Sequence, residues 1–126
     1  MLLAFYPMRE RKMVLLIEDN PAEREMYGKL LWYNGFDVVF AQDGEEGLRL
    51  ASAEAPDLVL TDLGLPDIDG IDVCRQLKRE TATAATPVVA LSARAQAQAG
   101  KRAMLAGCVD YLEKPISPYD VLKRIE

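Results

Sequence analysis

Three carboxylates, a serine and a lysine each fall where a largely apolar run of the sequence stops. Met13-Val14-Leu15-Leu16-Ile17 ends in Glu18-Asp19, and Leu58-Val59-Leu60-Thr61 ends in Asp62. The run from Pro87 to Leu91 ends in Ser92, and the segment from Val109 to Leu112 leads to Lys114. Runs this apolar suit strands covered on both faces, as in a parallel sheet. The carboxyl ends of such strands share one rim, where ligands of open α/β sheets bind. Carboxylates crowded on that rim need a compensating charge to stay ionised. A hard divalent cation with oxygen ligands, Mg²⁺ above all, supplies it. Lys114 adds a mobile positive charge suited to a phosphoryl group, and Ser92 adds a hydroxyl donor. An Asp between a metal ion and a Lys can attack phosphorus and form an aspartyl phosphate. Catalysis is then mostly positioning and charge neutralisation. An ionised carboxylate needs no general base, so the absence of His from the chain is no obstacle.

The elements that must position these groups are legible between them. Asn20-Pro21-Ala22-Glu23 has an N-cap residue, a Pro for the first helical position and a Glu to complete a capping box. The helix it opens carries Tyr27, Leu30 and Leu31 on one stripe and stops near Asn34-Gly35. Phe36 to Ala41 reads as a short strand, and Asp43-Gly44-Glu45-Glu46 opens a second helix that runs to about Ala53. After Asp62, a loop rich in Gly, Pro and Asp leads to a helix marked by Ile71, Cys74 and Leu77. Asp67 and Asp69 in that loop read as turn residues whose side chains satisfy local backbone groups. A fourth helix is expected from Ala95 to Ala106, with Gly100 weakening its middle and Gly107 ending it. Ser117-Pro118-Tyr119-Asp120 caps the last one. Five strand–helix units in alternation mean a single α/β domain: a doubly wound parallel sheet of five strands with helices on both faces.

Composition narrows the chemistry further. A chain of 126 residues with 50% hydrophobic and 28% charged residues is one ordinary globular domain. The net charge of −5, with no basic stripe, argues against direct contact with nucleic acid. With no His, and with Cys74 and Cys108 in no metal-ligand spacing, a zinc site is excluded and the two cysteines read as reduced core thiols. No segment approaches the ~20 apolar residues of a membrane span. Residues 1–12 start apolar, but their charges follow the apolar run, the wrong order for a secretory signal. They read as an extension, and 13–126 as the domain.

Taken together, Glu18-Asp19, Asp62-Leu63-Gly64-Leu65-Pro66 with Asp69-Gly70 behind it, Ser92, and Tyr111-Leu112-Glu113-Lys114-Pro115 resemble the motifs of the receiver domain of two-component response regulators, in order and over residues 13–126. The resemblance implies a flavodoxin-like fold with strand order 2-1-3-4-5. It implies a cytoplasmic signalling module, not an enzyme, in which Asp62 accepts a phosphoryl group from a phosphohistidine of a sensor histidine kinase or histidine phosphotransfer protein. Mg²⁺ would be held by Asp19 and Asp62, by the backbone carbonyl of Gly64 and, partly through water, by Glu18. Lys114 would pair with Asp62 and then bind the phosphoryl oxygens. Ser92 and Tyr111 would move together as the switch, and a downstream effector would read the face of the fourth helix, fifth strand and fifth helix. Lys114-Pro115 would be a cis peptide.

The chain also departs from the family's patterns. Gly64 offers no side chain two positions beyond Asp62, where receivers often carry a long one that affects the lifetime of the phosphorylated form. Lys114-Pro115-Ile116 replaces the Lys-Pro-Phe of the transcription-factor branch. Two other functions compete. A Mg²⁺-dependent phosphohydrolase working through an aspartyl phosphate would want a second Asp at position 64, where Gly stands. A receiver-like adaptor that ignores phosphorylation would have no need of the acidic pair, Asp62, Ser92 and Lys114 together. Trp32 and Tyr33 fall off the stripe of the first helix, as edge cover or as a partner-docking pair.

Overall fold

The alternating apolar segments fold as the sequence pattern demands. In a computed structural model that describes residues 11–93, 98–115 and 117–125, they give β1 (Met13–Ile17), α1 (Pro21–Tyr33), β2 (Asp37–Ala41), α2 (Gly44–Glu54), β3 (Leu58–Asp62), α3 (Gly70–Arg79), β4 (Val88–Ala93), α4 (Ala99–Leu105), β5 (Asp110–Lys114) and α5 (Pro118–Ile125). The strands form one sheet in the order β2-β1-β3-β4-β5, and every pairing is parallel. This is the flavodoxin-like order that the motifs imply.

Alternation along the strands divides the core in two. Leu15, Ile17, Val59 and Ala90 point to the face that packs α2, α3 and α4. Val14, Leu16, Leu60, Val89 and Leu91 point to the other face, where Tyr27 and Leu31 of α1 and Val121 of α5 close the layer. Burial on both faces removes these strand side chains from water, which is worth roughly 1.5–3 kcal/mol for each Val, Leu or Ile.

Register sets the height of each strand end. Ile17 pairs with Thr61, which brings Glu18 level with Asp62. Asp62 pairs with Leu91, and Ser92 follows on β4. Lys114 pairs with Ala93 and is the last residue of β5, not a residue beyond it. β2 begins at Asp37, and Phe36 is instead a buried plug just before the strand.

The helix boundaries follow local chemistry. Asn20 Oδ1 accepts from the Glu23 N–H at 3.0 Å, and Asp43 Oδ1 accepts from the Glu46 N–H at 2.8 Å. Positive φ at Gly35 (97°) and Gly107 (109°) turns the chain after α1 and α4, a conformation that glycine adopts without a Cβ penalty. The fourth helix is described only from Ala99, so the expected start at Ala95 lies outside the described residues. Gly100 falls in its first turn and not its middle, where a Cβ would press on the Tyr111 ring at 3.1 Å. Two residues assigned to the extension touch the domain: Arg11 pairs with Asp37 at 2.9 Å and lies 4.0 Å over the Trp32 ring, and the Lys12 carbonyl accepts from the Asp37 N–H.

Candidate phosphoryl-transfer site

Glu18, Asp19, Asp62, Ser92 and Lys114 meet in one cleft at the carboxyl rim, with Gly64 in its wall. One oxygen from each of Glu18, Asp19 and Asp62 lies within 4.8 Å of the other two, close enough for a shared cation. Glu18 is fully buried and Asp62 is 6% exposed, while Asp19 faces solvent. The cluster therefore has a sealed floor and an open mouth.

Lys114 reaches this floor from β5, across β4, a span that suits its four-carbon stem. Its Nζ lies 2.6 Å from Glu18 Oε1, 2.8 Å from Glu23 Oε1 and 3.3 Å from Asp62 Oδ2. The expected pairing with Asp62 is present, but the two glutamates hold the ammonium more closely. Burial opposes the charged form of Lys114, yet the hydrogen bonds to Glu18 and Glu23 and the charge of Asp62 outweigh it and raise its pKa.

Glu18 carries the electrostatic stress of the site. Burial, with the charge of Asp62 behind it, pushes its pKa from 4.5 up to about 7, against the pull of Lys114 and of the Asn20 N–H. That N–H donates to Glu18 Oε2 at 3.1 Å, and Arg24 Nη1 donates to the Glu18 carbonyl at 2.8 Å, so the acidic turn is fixed in place. A buried carboxyl with a strained proton balance beside two more carboxylates fits a hard divalent cation, which takes oxygen ligands and supplies the missing positive charge.

Asp62 is oriented by its own loop, since the Gly64 N–H donates to Oδ1 at 3.1 Å. Gly70, where α3 begins, packs directly on the Asp62 carbonyl and the Leu63 Cα, an approach that leaves no room for a Cβ. Ser92 is buried at the cleft wall and its Oγ donates to the Ala93 carbonyl at 3.2 Å. Tyr111 is not part of the cleft lining; it sits half-buried against α4, where Gly100 admits its ring. The Lys114-Pro115 bond is cis.

Glu23 is the residue that sequence reasoning missed. Its spacing from Asn20 was that of a capping box, but its carboxylate turns to Lys114 and the return bond to Asn20 goes to Glu18. Nothing in the spacing separates the two roles, because the same first-turn position serves both. Asp69 and Asp67 also differ in part from expectation. Asp69 caps α3 by accepting from the Ile71 N–H at 2.9 Å, as a turn residue should, and its other oxygen pairs with Arg102 at 3.7 Å on the cleft rim. Asp67 serves a distant element: it accepts from the Gly44 and Glu45 N–H groups at 2.8 and 2.9 Å, at the start of α2. Burial works against the charged form, but those N–H groups, and that of Ile68, outweigh it and lower the pKa.

Fold and cleft together define a class, and comparison with known proteins gives it a name. The family model for the response regulator receiver domain matches residues 14–126. This chain belongs to that family. It is 39% identical over 112 residues to the DNA-binding dual master transcriptional regulator RpaA of Synechocystis, covering 89% of this chain and 46% of that protein. It is 38% identical over 113 residues to the phosphate regulon transcriptional regulatory protein PhoB of Escherichia coli, covering 90% and 49%. The chain spans about half the length of the curated relatives it matches. Among solved structures, the receiver domain of the sensor histidine kinase PA1611 from Pseudomonas aeruginosa superposes with a TM-score of 0.85 at 28% identity, covering 92% of this chain and 95% of that one. That structure holds a magnesium ion coordinated in its active-site cleft.

Proposed function

We propose that this receiver domain is switched by phosphorylation of Asp62 in a two-component phosphorelay. The observation that carries the reading is the meeting of Glu18, Asp19 and Asp62 within 4.8 Å, with the Lys114 ammonium 3.3 Å from Asp62. The donor is a phosphohistidine on a sensor histidine kinase or a histidine phosphotransfer protein. An Asp62 oxygen attacks phosphorus, the P–N bond breaks, and the histidine nitrogen leaves with the electron pair and takes up a proton.

Glu18, Asp19, Asp62 and the Gly64 carbonyl are the groups that would hold Mg²⁺, and the magnesium in the cleft of the PA1611 receiver supports that set. The ion would supply charge neutralisation between the carboxylates and the incoming phosphoryl oxygens. Lys114 holds a second positive charge against those oxygens once they arrive. Ser92 turns its hydroxyl from the Ala93 carbonyl toward the phosphoryl group, and Tyr111, whose ring rests against Gly100, follows it inward, which biases the face of α4, β5 and α5 toward an effector. The module works in the cytoplasm with its kinase and spans residues 13–126, after an extension. Among the described residues no helix is long and apolar enough to cross a membrane.

The test is the intact mass of the protein after incubation with acetyl phosphate, with and without Mg²⁺, alongside Asp62→Ala. One phosphoryl adduct that needs both Mg²⁺ and Asp62 is expected. No adduct under any condition would favour a phosphorylation-independent adaptor, and sustained phosphate release from many donors would favour a hydrolase.

A further inference from the structure

Outside the lining of the phosphoryl cleft, two cysteines separated by 34 positions in sequence meet in the core. Cys74 lies on the inner face of α3, and Cys108 lies between the end of α4 and the start of β5. Both are free and buried, at 0% and 4% exposure. Cys108 Sγ donates to Cys74 Sγ at 3.0 Å, and Cys74 Sγ donates in turn to the Ala106 carbonyl at 3.6 Å. Two backbone hydrogen bonds fix Cys108: its own N–H to the Ala103 carbonyl, and the Val109 N–H to the Val88 carbonyl. Cys74 is held by its helix. The sulfurs need to close by only about 1 Å to reach the ~2.05 Å of a disulfide.

From this geometry we infer that Cys74 and Cys108 form a modification site, a dithiol that a small peroxide converts to an intramolecular disulfide. The chemistry balances without another reactant. The Cys74 sulfur attacks one peroxide oxygen, the O–O bond breaks, and Cys74 becomes a sulfenic acid as hydroxide or alkoxide leaves. The Cys108 sulfur then attacks Cys74, the S–O bond breaks, the S–S bond forms, and water leaves with the thiol proton. Two electrons pass from the sulfur pair to the peroxide, which ends as water, or as an alcohol and water. The order follows from the hydrogen bond: accepting from Cys108 lowers the Cys74 pKa, with help from Lys78 and Arg75, and donating raises that of Cys108. Burial favours a peroxide over a bulky disulfide as the oxidant. The bond would tie α3 to the entry of β5 and close a loop that holds all of β4 and α4.

The experiment treats the whole chain with a slight excess of hydrogen peroxide, then unfolds it in an alkylating reagent and records intact mass and peptide maps. A monomer that takes up no alkyl group, yields a Cys74–Cys108 linked peptide and regains two alkylation sites after dithiothreitol is the expected result. Its thermal midpoint should rise by about 10 °C relative to the reduced protein, because the closed loop restricts the unfolded chain. Cys74→Ser and Cys108→Ser should each lose both the linked peptide and the rise. Two alkylated thiols after peroxide, independent sulfinic acids on each cysteine, or a disulfide between chains would overturn the inference. The peptide map of the unsubstituted protein decides it even if a Ser variant folds poorly.

Discussion

At the scale of single residues, the site is a contest between burial and charge, and Glu18 is where it shows. Between pH 4.5 and about 7 the unfolded chain has released the Glu18 proton while the folded chain keeps it. The folded state therefore binds more protons in that window, and this group's contribution to stability falls as pH rises through it. In metal-free buffer, Glu18→Gln should flatten the decline in thermal midpoint across that range; an unchanged slope would mean that the carboxyl titrates normally. Mg²⁺ held by Glu18, Asp19 and Asp62 would compete with the same proton. Calorimetric titrations should show Mg²⁺ binding tighten from pH 6 to pH 8 with protons released on binding, and a pH-independent affinity would remove Glu18 from the coordination shell. Asp62, Asp19 and Lys114 were legible in the sequence because strand ends in a parallel sheet must share a rim. Glu23 was not, since choosing between its cap and its ion pair with Lys114 requires knowing how far the lysine reaches across β4.

At the scale of elements, register sets the height of each strand end, and the turns after β1 and β3 brace the acidic groups there. Gly70 is the tightest of these supports, because a Cβ there would strike the Asp62 carbonyl and the Leu63 Cα, which are backbone and cannot swing aside. Gly70→Ala should cost roughly 1–3 kcal/mol in denaturant unfolding, the usual range for overpacking, and should slow phosphorylation of Asp62 as well. A variant with the original stability would show that the β3–α3 turn yields easily. The capping pattern located α1 and α2 correctly from Asn20 and Asp43 alone. It could not foresee that Asp67 would bind the N–H groups of Gly44 and Glu45, because that contact joins two loops more than twenty positions apart. Local chemistry announces helix starts, whereas contacts between loops need the sheet order first.

At the scale of the whole molecule, the rim gathers three carboxylates from β1 and β3 and one ammonium from β5. A ligand that supplies the missing positive charge and a phosphoryl-like group binds the folded state alone and so raises its stability by mass action. Mg²⁺ with beryllofluoride should raise the thermal midpoint by several degrees, each alone much less, and Asp62→Ala should abolish the joint effect. An equal rise in Asp62→Ala would place the binding elsewhere. The parallel sheet and its two covered faces were legible because whole apolar runs leave few alternatives. The contact that residues 11 and 12 of the extension make with the domain was not, since Arg11 meets Trp32, Phe36 and Asp37 where the fold brings them together.

Asp62, among all the carboxylates on the rim, is the proposed acceptor of the phosphoryl group. Borohydride reduction of the phosphorylated protein converts an aspartyl phosphate to homoserine, which peptide mass spectrometry then locates. Homoserine at position 62 alone, and only after incubation with Mg²⁺, is the predicted result. Homoserine at Asp19 or Asp69, or none in protein whose mass shows a phosphoryl adduct, would contradict it.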